Sequence, residues 1–195
     1  MPAKKAKQIK KDRLKYPLSE AEELRAQNVW RLLEHWTRVP GTTSNDSFNG
    51  VIFKRWVKVV FAKARKMDLI RPARMVLAHV LIHAPADADG FWMPHEVAEL
   101  MEMRTNVDML ESYRIAKFNS RGVQFVDKGM KKDLASADQC RKMAEEAEEQ
   151  GYGHIAEMMR ELAEEIQAMA HQWQDEDALR VARFEALKAE RRISD

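Results

Sequence analysis

From Ile155 to Trp173, apolar side chains return every three or four residues: Ile155, Met158, Met159, Leu162, Ile166, Met169 and Trp173. That spacing keeps one face of an α-helix apolar for about five turns, whereas a strand would alternate with a period of two. A stripe of this length has to be laid against other apolar surface, and a second helix is the simplest source. The stretch just before it supplies one: Met130, Leu134, Ala137, Met143, Ala144 and Ala147 repeat in the same manner and stop at Gly151-Tyr152-Gly153. So short a connection predicts an antiparallel helical hairpin. Past Trp173 the polar run Gln174 to Asp177 interrupts the stripe. Leu179, Phe184 and Leu187 take it up in a different register, which predicts a separate, loosely attached C-terminal helix over 174–195.

The rest of the chain reads the same way. Residues 1–16 carry almost no apolar content and form an expected flexible tail, closed off by Pro17. Ser19-Glu20-Ala21-Glu22 is a capping-box pattern, followed by Leu24, Val29, Leu32, Leu33 and Trp36. A second helix over about 50–67 carries Ile52, Phe53, Trp56, Val57, Val60 and Phe61 at three- and four-residue spacing. A third starts near Arg71, with Pro72 in its first turn. A short fourth follows Pro94, and Thr105-Asn106-Val107-Asp108 has the pattern of a cap opening a fifth. Val123 to Val126 is the only strand-like run, and one strand makes no sheet. With only seven Gly and six Pro, turns are few and elements long. The expected fold is all-α: an irregular bundle of six to seven helices ending in an antiparallel hairpin, with at most one short extended segment near 123–126. The expected organisation is a flexible basic tail (1–16), a helical domain (17–173) and the attached helix (174–195).

Several function classes fall away. One cysteine, Cys140, cannot form an internal disulfide. No apolar run approaches the roughly 18 residues of a membrane span, so no membrane partner is expected. The basic start has no apolar segment behind it to make a secretory signal, so a cytoplasmic location is expected. No Gly-x-Ser-x-Gly elbow, phosphate-binding loop or dinucleotide fingerprint occurs, and Cys140 sits among Lys, Arg and Glu with no nearby His. No catalytic residue and no cofactor is therefore expected.

Three candidate chemistries remain. His79 and His83, four apart, share one helix face as a zinc pair would, and His95 and Glu99 repeat that spacing. However, Glu99 stands where the His-Glu-x-x-His motif needs its second histidine, so these four are only weak metal candidates and no metal is assigned. Nucleic-acid binding draws on charge. Lys4, Lys5, Lys7, Lys10, Lys11, Arg13 and Lys15 stand against Asp12 alone, and Lys54, Arg55, Lys58, Lys63, Arg65 and Lys66 lie on the second helix with Trp56 and Phe61 between the cations. Such charges suit phosphates, and aromatics suit stacking, in a sequence-independent complex. The same two aromatics fall on the apolar stripe and serve a core equally well. Over residues 140–177, by contrast, eleven acids meet three bases, giving the chain an acidic helical region as well as a basic tail. Met-rich amphipathic helices suit a protein partner, including a second copy of the chain.

Three segments taken together carry a resemblance: Asn28-Val29-Trp30-Arg31-Leu32-Leu33 through Val39-Pro40-Gly41-Thr42, His83-Ala84-Pro85-Ala86-Asp87-Ala88-Asp89-Gly90-Phe91-Trp92, and Phe118-Asn119-Ser120-Arg121-Gly122-Val123. They resemble the C-terminal helical region of large, poorly characterised bacterial multidomain proteins, over roughly residues 20–170. The resemblance implies a bacterial or mobile-element origin, an association with phage defence or stress response, and a region that works attached to others. It implies no activity. A basic tail ahead of the region departs from that pattern. If it holds, the loops are the places to look for binding groups, with Asp87, Asp89, Trp92, Asn119 and Arg121 as interaction residues. The competing reading makes them tight interhelix corners, with Arg121 pairing an aspartate and Trp92 sealing the core. The expected function is a non-catalytic helical protein-interaction module or subunit of a bacterial assembly, with sequence-independent nucleic-acid binding as the alternative.

Overall fold

The computed structural model describes residues 19–43, 47–122 and 130–194. Among them every regular element is helical: α1 (Glu20–Glu34), α2 (Gly50–Lys66), α3 (Ile70–Leu81), α4 (His95–Glu102), a 3-10 turn (Arg104–Asn106), α5 (Val107–Asn119), α6 (Lys131–Glu149) and α7 (Gly153–Ser194). The one extended pairing described is a single antiparallel bridge between Thr42 and Phe48. The fold is all-α, as the periodicity predicts. The basic tail and the segment near 123–126 lie outside the described residues.

The chain divides into two compact units, Met1–Thr37 and Arg38–Asp195. In the first, the capping box acts at the start of α1. The Glu22 carboxylate accepts from the Ser19 backbone N–H at 2.9 Å and from its hydroxyl at 2.8 Å. Those bonds hold the Glu22 carboxyl below its usual range, the backbone N–H contributing most. Leu24 and Leu32, both on the expected stripe, are exposed.

In the second unit, Asn49 caps α2 by accepting from the Ile52 N–H at 3.0 Å. Gly41, just ahead, takes φ 101°, and a Cβ there would sit 2.8 Å from the Asn49 carbonyl oxygen. The buried face of α2 is narrower than its apolar pattern: Phe53, Val57, Phe61 and Ala64 are inside, whereas Ile52 is exposed. α3 packs on α5, and α7 packs on α4, α5 and most extensively on α6. The expected cap at Thr105–Asp108 takes another form. The Asn106 side chain makes no cap bond to α5. Buried, it donates its amide to the Leu100 carbonyl at 2.7 Å, tying the 3-10 turn back to α4. α4 in turn caps α7, because the Glu102 carboxylate accepts from the first N–H groups, His154 (3.0 Å) and Ile155 (3.3 Å). An anion there also faces the positive end of the helix dipole.

α6 and α7 form the expected hairpin. The chain reverses at Gly151 with φ 82°. Arg160 pairs with Glu148, and Arg141 bonds Gln167, so residues early in one helix meet residues late in the other. Between them lie Ala137, Cys140, Ala144, Ala147, Ile155, Met159, Leu162 and Ile166, all buried. Small side chains on α6 let the larger ones of α7 approach closely, as dense interiors require. The expected break at Gln174–Asp177 is absent: one helix runs from Gly153 to Ser194. Those polar residues end the packing and leave the backbone ladder intact, since no Gly or Pro follows Gly153.

Candidate functional site

The loop between α3 and α4 folds around its own carboxylates. Asp87 accepts from the Ala88 N–H at 2.6 Å and from the His95 N–H at 2.8 Å, the second bond satisfying an orphan donor at the start of α4. Asp89 accepts from the Phe91 N–H at 3.0 Å and lies 2.8 Å from His95 Nε2. The other ring nitrogen, Nδ1, lies 2.9 Å from the Tyr152 hydroxyl, in the turn between α6 and α7. Phe91 stacks on the His95 ring at 5.3 Å and on Tyr152 at 5.8 Å. The result is a relay, Asp89–His95–Tyr152, that ties the α3–α4 loop to the closed end of the hairpin.

The electrostatics follow. The Asp89 carboxylate raises the pKa of His95, and His95 holds that of Asp89 below its ordinary value. Burial, with the surrounding carboxylates of Glu99, Asp87, Glu96 and Asp89, pushes the Tyr152 phenol up, so it stays protonated at neutral pH. Asp87, Asp89 and His95 bring their ligand atoms within 4.8 Å of one another. A cation there would have to displace the Asp89–His95 bond and work with carboxylates already committed to backbone N–H groups. The arrangement serves as a latch. Beside it, Asp89, Gly90, Phe91, Glu146, Glu149 and Gln150 line an acidic cleft of about 220 Å³.

The structure separates the other metal candidates. His79 and His83 are exposed and take no part in the Asp87–Asp89–His95 cluster. Glu99 pairs with Lys54 at 2.8 Å. Spacing of four put residues on a face but could not supply a partner for that face. The loop residues bond within the chain. Trp92 donates its indole N–H to the Met143 carbonyl at 3.2 Å. Asn119 ends α5, exposed, and its carbonyl accepts from Gly122 at 3.1 Å. Arg121 meets the buried Asp133 of α6 at 2.7 Å and lies 4.2 Å over the Phe118 ring. Of the nucleic-acid set, Arg55 and Lys58 are exposed cations on α2, and Phe61 is buried. The tail lysines lie outside the described residues. Cys140 is buried, and burial raises its thiol pKa, which keeps the nucleophilic thiolate scarce.

The residue that sequence reasoning passed over is Tyr152. An aromatic held between two turn glycines was the available signal.

A second feature is the far part of α7. Among the described side chains Ala170 is the last buried one on α7, yet the helix continues to Ser194, with Trp173, Leu179 and Val181 exposed at 45%, 72% and 54%. The Glu148–Arg160 and Arg141–Gln167 pairs set a register that brings Lys131, the first residue of α6, level with residue 177. Residues 178–194, about 25 Å of helix at 1.5 Å per residue, run on beyond that end of α6. Phe184 stands eighteen residues from Ile166, which is five full turns, so it continues the buried face of the hairpin. Only Leu179 sits in a different register. No family model, no curated protein and no solved structure matches the chain.

Proposed function

We propose that this chain is a non-catalytic helical interaction module, and that the length of α7 beyond α6 is the surface it offers. One observation supports the reading above the others: among the described side chains Ala170 is the last buried one, while the same helix goes on, carrying exposed Trp173 and Val181. A helical stretch of this length is marginal in water by itself, and most helical stability comes from burying an apolar face. The partner that suits it is another amphipathic helix laid along that face.

The test places a photo-crosslinking residue at position 181 of the full chain, with the same residue at the exposed Val51 of α2 as control, in native cell extract. The reading expects one adduct of discrete mass at 181, absent at 51, that excess wild-type chain competes away and Val181→Asp chain does not. Equal labelling at both positions, or equal competition by the two chains, contradicts it.

Sequence-independent nucleic-acid binding is the second reading, supported by the exposed cations Arg55 and Lys58. Burial of Phe61 removes one of the two aromatics it would stack on bases, which leaves phosphate contact as its main source of affinity. Such affinity falls steeply with salt, so anisotropy titrations with labelled DNA and RNA at two salt concentrations decide it. No binding at low salt eliminates this reading.

A further inference from the structure

We propose that the exposed face of α2 lies on an anionic lipid surface, with its cations on headgroup phosphates and its aliphatic side chains in the layer beneath. This face and the far part of α7 are separate surfaces, so the proposal stands or falls apart from the interaction reading.

α2 holds six bases in its 17 residues, Lys54, Arg55, Lys58, Lys63, Arg65 and Lys66, and no acid. All six are exposed. Lys54 pairs with Glu99 of α4, and among the described residues the other five bases have no described ion pair. The buried Phe53, Val57, Phe61 and Ala64 occupy one side of the helix. At about 100° per residue, the opposite side carries Val51, Arg55, Lys66, Val59, Ile52 and Lys63, in that order round an arc of about 120°. Val51, Ile52 and Val59 are 78%, 53% and 48% exposed. Aliphatic and basic side chains are therefore interleaved on this face, with Arg55 and Lys66 standing between Val51 and Val59.

That mixture decides between occupants. Nucleic-acid phosphates take the cations and leave three aliphatic side chains in water. The exposed acids of α6 and α7 in a second copy, such as Glu145, Glu157 and Glu161, do the same. A partner helix covers the aliphatics only by burying Arg55 and Lys66 with them, and the centres of protein interfaces are depleted of charge. A lipid surface accepts both kinds at once. The stems of Lys and Arg lie along apolar surface while their heads reach the phosphates, and the shorter aliphatic side chains enter the acyl boundary. Among the described residues no helix is long and apolar enough to cross a membrane. The expectation of no membrane partner rests on that length, which a helix lying in the plane of the surface does not need.

The test is co-flotation of the full chain with vesicles at low salt. One set is phosphatidylcholine alone and the other is phosphatidylcholine mixed equally with phosphatidylglycerol. Circular dichroism confirms that each variant keeps its helix content. Flotation is expected with the anionic vesicles and not with the neutral ones. Arg55→Gln with Lys66→Gln should weaken it at least about tenfold. Ile52→Gln with Val59→Gln, which leaves the charge unchanged, should weaken it at least about fivefold and leave any binding of labelled DNA at the same salt as it was. Lys132→Gln with Lys142→Gln removes two exposed cations of α6 instead, and should change flotation less than about twofold. No flotation with the anionic vesicles overturns the proposal. So does flotation that Ile52→Gln with Val59→Gln leaves unchanged, because phosphate attraction alone then explains it and the nucleic-acid reading is favoured. Equal losses from the α2 and α6 cation pairs also overturn it, since net charge is then the cause. A lipid joined at position 51 adds too little mass to pass for a protein adduct, so the crosslink expected at position 181 is read separately.

Discussion

The near and far parts of α7 belong to one unbroken helix and live in different surroundings. In the near part, Ile155, Met159, Leu162 and Ile166 are at most 1% exposed, held between α6, α5 and α4. In the far part, Leu179 and Val181 are more than half exposed. The backbone is the same in both, because the hydrogen-bond ladder asks only for helix-compatible residues. What differs is the length of the neighbour. α6 spans 19 residues and α7 spans 42. The difference teaches that continuity of a helix and coverage of its apolar face are set by separate parts of the sequence. Where the first outlasts the second, apolar side chains such as Leu179 and Val181 are left exposed.

The largest expected contrast is in stability. Leu162→Ala should cost about 3–4 kcal/mol in urea unfolding, the transfer term plus a cavity in a tightly packed site. Val181→Ala, measured on dilute chain, should cost under about 0.5 kcal/mol. Similar costs at the two positions would erase the distinction between the two parts.

Next is the pair at the open end of the hairpin. Arg121→Ala leaves the carboxylate of Asp133, 1% exposed, without its cation where α6 begins. A loss of about 2–3 kcal/mol is expected, below the figure for full burial because Arg121 is itself partly solvated. Arg121→Lys should recover only part of it, since a lysine cannot also lie flat on Phe118.

At the closed end, His95→Ala removes the bonds to Asp89 and Tyr152 and the stack on Phe91, and should cost about 1–2 kcal/mol. The smallest effect is in titration. Because folding raises the pKa of His95, its contribution is complete below the unfolded value and fades as pH rises through the folded one. Because folding lowers that of Asp89, its contribution is lost as pH falls through its folded value. The latch should be firmest between the two, in weakly acidic solution. An NMR titration should find His95 above about 6.5 and moving back toward that value in Asp89→Asn. A midpoint that ignores Asp89→Asn would show that the carboxylate is not its partner.

What could be read from the sequence was what depends on local spacing. The α7 stripe, the turn at Gly151 and the Ser19–Glu22 cap all follow from residues within a few positions of one another. Arg121 could be foreseen pairing an aspartate, although not which one: Asp133 is twelve residues away, across a segment outside the described residues. The polar run at Gln174–Asp177 looked like a helix break because it breaks the apolar stripe, but a stripe reports packing and the ladder does not depend on it. Asn106 looked like a cap and instead bonds Leu100, a choice made by the turn it sits in. His95 drew attention for its spacing with Glu99, yet its partners are Asp89, in a loop, and Tyr152, fifty-seven residues on. Spacing along one helix carries no information about such neighbours.

The most direct test of the account is hydrogen exchange along α7 in dilute chain. Residues 155–170 should be strongly protected, since α6, α5 and α4 cover them. The backbone beyond residue 177 should exchange quickly, because it runs past the start of α6. Protection of the far part equal to that of residues 155–170 would contradict the claim that α6 leaves it uncovered.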